Sequence, residues 1–111
     1  MAGKSEGDLL PGTLEMLILA TLRLEAMHGY AIAQRIHLLS SEVLAVEEGL
    51  LYPTLQKMLV KGWVTAEWGI SETGRKVRFY RLTPDGRKQL KAEVSGFDRF
   101  TQAIQEVLRT A

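Results

Sequence analysis

The spacing of apolar residues switches at Gly62 and switches back at Thr83. Helical spacing precedes the first switch, strand-like sequence lies between the two, and helical spacing returns after the second. A chain of 111 residues has room for one compact domain, so these pieces must share a single core. Leu14, Leu17, Ile18, Leu22 and, after Glu25, Met27 fit a first helix of about three turns. Thr13, after Pro11 and Gly12, is placed to cap it. Met16, Leu19 and Ala20 broaden its apolar face, as expected of a helix touching both a core and a partner subunit. His28-Gly29 ends that helix or starts the next, which runs through Tyr30, Ile32, Ala33, Ile36 and Leu39 to about Ser40. After a connection over Ser40 to Glu47, a third helix must begin near Glu48 or Gly49, because Pro53 follows and a proline without an amide proton belongs in a first turn. It continues through Leu55, Met58 and Leu59 to Lys61, and Gly62 supplies a left-handed stop.

Trp63 to Trp68 and Lys76 to Leu82 are β-branched and aromatic, and the loop from Gly69 to Arg75 between them predicts a β-hairpin. Trp63 and Trp68 are assigned to the core of that hairpin, while the adjacent Phe79 and Tyr80 must point to opposite faces. Thr83-Pro84-Asp85-Gly86 starts the last helix with a capping hydroxyl, a proline at its first position and an acid at its positive end. In that helix Leu90, Val94, Phe97, Ile104 and Leu108 form a heptad seam with Thr101 at the missing position, and Phe100 and Val107 form a second row. Three helices, a hairpin and a long helix form an α+β, mainly helical chain: a winged helix-turn-helix followed by a helix of roughly 40 Å. The reading divides the chain into a tail over residues 1–8, a winged-helix domain over 9–83 and a dimerisation helix over 84–111. The last helix outruns so small a core, so its apolar rows, with Leu14 and Leu17 of the first helix, are expected to pack on a second copy.

The formal net charge is only +1, but it is unevenly spread. Residues 1–56 carry net −4, residues 57–91 net +6 and residues 92–111 net −1. The basic segment covers the end of the third helix, the hairpin and the base of the last helix. Those elements of a winged helix face a duplex, and phosphates reward local positive charge by releasing counterions. On the third helix Gln56 suits adenine, Lys57 guanine or phosphate, and Glu48 the cytosine amino group. Tyr52 and Pro53 suit thymine methyls, and Gly49 lies on the same exposed N-terminal surface. Arg75, Lys76 and Arg78 at the hairpin tip and its second strand are expected wing contacts, with Arg78 also able to pair locally. Tyr30 and Gln34 on the second helix are placed to bond phosphates, although Tyr30 fits a core position equally well. A winged-helix module that uses the same faces to bind a protein is the alternative reading.

Other classes find little support. With no cysteine there is no disulfide scaffold, thiolate zinc site or cysteine nucleophile. His28 and His37 have no partner at metal spacing, and no glycine-rich phosphate loop, nucleophile–base pair or carboxylate dyad is present, so neither catalysis, metal nor cofactor is expected. The longest apolar stretch, Met16 to Leu22, is too short to span a bilayer. The charged N-terminus lacks a signal core, so the expected compartment is the cytoplasm.

Three segments carry a family resemblance: His28-Gly29-Tyr30-Ala31-Ile32, Glu48-Gly49-Leu50-Leu51-Tyr52-Pro53-Thr54-Leu55 with Gly62 behind it, and Arg78-Phe79-Tyr80-Arg81-Leu82-Thr83-Pro84-Asp85-Gly86. From about Pro11 to Phe100 the chain resembles PadR-family bacterial transcriptional regulators of the small subgroup, which have a single C-terminal helix. The resemblance implies a homodimer joined through the last helix, repression from an inverted-repeat operator in double-stranded DNA, and release by a small hydrophobic or aromatic effector. That effector would sit at the dimer centre against Phe97, where some relatives carry tryptophan, with Phe100 beside it. Leu50 stands where relatives often have threonine.

Overall fold

The computed structural model describes residues 12–111. The tail read over residues 1–8, and Pro11, lie outside them. Four helices and a small three-stranded antiparallel sheet follow the order α1 (Thr13–Thr21), β1 (Met27–His28), α2 (Gly29–Leu39), α3 (Glu48–Val60), β2 (Val64–Ile70), β3 (Lys76–Leu82) and α4 (Pro84–Thr110). This is the winged-helix plan with a long terminal helix.

Several boundaries differ from expectation, each for a local reason. Thr13 is the first helical residue of α1 rather than its cap; the cap is Gly12, whose φ of 88° places it in the left-handed region. α1 stops at Thr21, well before Met27. Met27 and His28 leave the helical path to pair with Tyr80 and Phe79, which makes β1 an edge of the sheet in the order β1-β3-β2. A two-residue strand is too short to show a period. Met27 still reaches the core, so its spacing from Leu22 fits a helix by coincidence. His28 then caps α2, its Nδ1 accepting the Ala31 amide at 3.3 Å. Pro53 is a second correction. α3 begins at Glu48, so Pro53 sits inside the helix rather than in its first turn. It offers no N–H to the Gly49 carbonyl four residues back. The hairpin loop is shorter than read, because Gly69 and Ile70 belong to β2. Gly69 leaves room for the Phe79 ring, which a Cβ there would meet at 2.7 Å.

The core forms where the helices meet the sheet. Leu14, Ile18 and Leu19 of α1, Ile32 and Ile36 of α2, and Leu51, Leu55 and Met58 of α3 are buried against Met27, Val64, Tyr80, Leu82 and Leu90. Leu14 and Leu90 were expected at a subunit interface, but both are buried in the protomer's own core, at 5% and 6% exposure. They close the core beneath α1 and the base of α4, so a partner would find little of them to touch. Beyond Leu90 no residue of α4 is buried, and Val94, Phe97, Phe100, Ile104, Val107 and Leu108 are all exposed.

Candidate nucleic-acid interface

α3 buries Leu51, Leu55 and Met58, at steps of four and three, and the remaining side turns outward. Glu48, Gly49, Tyr52, Pro53, Gln56 and Lys57 are all exposed, so the six residues expected to read bases do share the outer side of α3. They are not equivalent. The Tyr52 ring lies over Gly29, where a Cβ would come within 2.7 Å of the ring. Gly29 at the start of α2 and Tyr52 of α3 therefore touch, and Gly29 is required by that contact.

Partial burial, followed by the charge of Glu48 and by Tyr80, raises the Tyr52 phenol above its ordinary value. The folded chain thus holds this proton more tightly than the unfolded chain does. The stabilisation is present below the unfolded value near 10 and is lost as pH rises through the higher folded value. Tyr52→Phe is expected to flatten the alkaline fall in thermal stability; melting curves from about pH 9 upward check it.

Lys57 differs from its neighbours. Its Nζ lies 2.8 Å from Glu15 Oε2 on α1. The hydrogen bond and charge of Glu15, with a smaller contribution from Glu93, raise its pKa against the opposing effect of desolvation. Any base contact by Lys57 competes with this ion pair, whereas Gln56 is exposed on the same face. Tyr30 is exposed at 61%, so its position is on the surface and not in the core, and its hydroxyl accepts from exposed Gln34 Nε2 at 3.2 Å.

Arg75 and Lys76 are exposed at the wing. The loop that carries Arg75 is tightened by Ser71 N–H donating to the Arg75 carbonyl at 2.8 Å and by Gly74 at φ 83°. Arg78 is held between rings, its Cζ 5.7 Å from the centre of Trp68 and 5.9 Å from that of Tyr80. Trp63 packs against the core as expected. Trp68 does not: it is 63% exposed, because the sheet extends past the end of the helical layer.

The Thr83-Pro84-Asp85-Gly86 segment fixes the wing to α4. Thr83 Oγ1 accepts the Gly86 amide at 2.9 Å and lies 2.7 Å and 3.0 Å from the Gly62 and Trp63 carbonyls. One hydroxyl proton can serve only one of these carbonyls at a time; the Thr83 amide also donates to Trp63 at 3.0 Å. This segment is structural: it fixes the direction in which α4 leaves the core.

Among the described residues, no group of three or more His, Cys, Asp or Glu side chains is placed to hold a metal ion. No helix among them is long and apolar enough to cross a membrane.

Three comparisons bear on this arrangement. The model of the transcriptional regulator PadR-like family matches residues 18–92. An uncharacterised protein of Lysinibacillus sphaericus is 29% identical over 97 residues, which cover 87% of this chain and 89% of that protein. Among solved structures, a transcriptional regulator from Clostridium thermocellum is similar with a TM-score of 0.79 at 25% identity, covering 86% of this chain and 92% of that one. PadR of Bacillus subtilis, in complex with operator DNA, is similar with a TM-score of 0.65 at 26% identity, over 74% of this chain and 47% of that one.

Proposed function

The chain belongs to the transcriptional regulator PadR-like family, and from that premise we propose that it binds operator DNA as a homodimer and represses the adjacent genes. The observation that carries the reading is a coincidence of surfaces. The outward side of α3 and the basic wing are exposed together, and the apolar row of α4 is left bare beyond the core. The likeness to a regulator solved on its operator supports the same use of these surfaces here. In this reading α3 enters the major groove, with Glu48, Gly49, Tyr52, Pro53 and Gln56 nearest the bases. Arg75 and Lys76 meet the backbone, while Tyr30 and Gln34 approach phosphates from α2. Leu17 and the α4 residues Val94, Phe97, Phe100, Ile104, Val107 and Leu108 join two copies. A flat, hydrophobic or aromatic effector would lie between the two copies of Phe97 and Phe100.

Selection of bound duplexes from a random pool tests this. A two-fold symmetric site is expected, with half-sites about 34–36 Å apart. A pool that yields no enriched duplex would overturn the reading and favour a protein partner for these faces. Base and backbone contacts also separate by salt. Gln56→Ala is expected to relax preference at one base position, at about 1–3 kcal/mol. Arg75→Ala and Lys76→Ala should weaken selected and random duplexes alike, each lowering the salt slope by about one. Binding isotherms across a salt series make the distinction.

A further inference from the structure

The two faces of the hairpin do different things. Val64, Ala66, Trp68 and Ile70 alternate onto one face, opposite Leu82, Tyr80, Arg78 and Lys76 of β3. The first two pairs belong to or pack against the core. The last two pairs lie on the same face beyond the helical layer, leaving Trp68 63% and Ile70 66% exposed. Cations flank this apolar overhang. Lys76 Nζ lies 5.1 Å from the centre of the Trp68 ring, and the Arg78 guanidinium lies 5.7 Å from it. Arg78 Nε is buried and makes no hydrogen bond, and the guanidinium carbon lies over both the Trp68 and Tyr80 rings. Glu67 is kept away on the opposite face, paired with Phe79.

The overhang lies at the wing end of the hairpin, where Ile70 pairs with Lys76 and Arg75 is the next residue in the loop. An apolar centre with a cationic rim complements the wall of a nucleic-acid groove, where sugars and base edges are flanked by phosphates.

We propose that Trp68, with Ile70 beside it, is a DNA-contacting platform whose ring lies against the sugar wall of the minor groove flanking the half-site. Lys76 and Arg78 then meet the phosphates on either side. This inference rests on the DNA-binding reading above and assigns a shape-reading role to a residue outside α3.

The chain has two tryptophans, so Trp63→Phe leaves Trp68 as the only indole reporter. Trp63 contributes its backbone carbonyl to the α4 junction, and that contact survives the change. Titrating this variant with the selected duplex should change its emission and shield it from acrylamide, a neutral quencher. Trp68→Ala should weaken binding about tenfold and Trp68→Phe should restore most of the loss. Neither change should alter the salt slope, because a ring neutralises no phosphate. Thermal melts should change little, since the side chain is exposed.

Two results would overturn the platform while leaving DNA binding intact. One is a Trp68 as open to acrylamide in the complex as in the free protein. The other is a loss in Trp68→Ala that follows wholly from a lower salt slope, which would make the ring only a support for Lys76 and Arg78. If the unaltered chain binds no duplex at all, the platform falls together with the reading beneath it.

Discussion

Replacing Phe97 by aspartate is expected to yield a folded monomer with little affinity for a symmetric operator. Phe97 is the second residue of the α4 row that begins at Val94 and runs to Leu108, and it takes no part in the protomer's core. Val94, Phe97, Ile104 and Leu108 repeat at steps of three, four and seven, so on a straight helix they line one seam. Each large apolar side chain gains about 1.5–3 kcal/mol on full burial, which makes a bare row of this length a strong drive to associate. A two-fold axis would bring both aspartates into the same apolar seam. Two uncompensated charges there should raise the dimer dissociation constant by at least about a thousandfold. Sedimentation measures that shift. The same variant should lose about 10²–10⁴ in affinity for the paired site, because each half then binds alone. Its melting transition should stay cooperative, since Leu90 anchors the base of α4 independently of the seam. A Phe97→Asp protein that remains dimeric would remove α4 as the joining element.

Gly86→Ala is expected to be among the most destabilising single changes in the chain. A Cβ at Gly86 would fall 2.1 Å from the Trp63 carbonyl oxygen and 2.7 Å from Leu82 Cδ1. The carbonyl cannot withdraw freely. It accepts from the Thr83 amide and also lies within hydrogen-bonding distance of the Thr83 hydroxyl, both at 3.0 Å. Relief therefore requires α4 to shift away from β2, opening the cap and the Leu82 packing together. A cost of about 3 kcal/mol or more follows, equivalent to a fall in Tm of more than about 10 °C for a domain of this size. Gly96→Ala is the matched control. Nothing lies within 4 Å of a Cβ built at Gly96, which sits in the interior of α4. There alanine should stabilise by about 0.5–1 kcal/mol through helix propensity. Calorimetry on the two variants should give opposite signs; a small effect at Gly86 would mean that α4 docks more loosely than its geometry requires.

The outer side of α3 and the bare row of α4 became visible in different ways. Leu51, Leu55 and Met58 lie inside at helical spacing, so the outward position of Gln56 follows from local sequence alone. Lys57 is also on the outside, but nothing near it in the chain announces Glu15, which reaches it only because α1 packs across α3. Leu90 and Val94 look alike in the heptad pattern. One is buried and the other exposed because the core ends between them. Trp68 was misplaced for the same reason: alternation identifies its face correctly, but not how far the helical layer extends along that face.

Local interactions settle what lies close in the chain. The change of period at Gly62, the Thr83 cap and the helical spacing of α3 and α4 depend on neighbours within about four residues, and those are written in order. Tertiary structure alone decided the short β1 strand, the Glu15–Lys57 pair, the contact of Tyr52 with Gly29, and which apolar residues stay bare. Each depends on two segments distant in sequence reaching the same place, and on where a core of limited size runs out of chain to cover it.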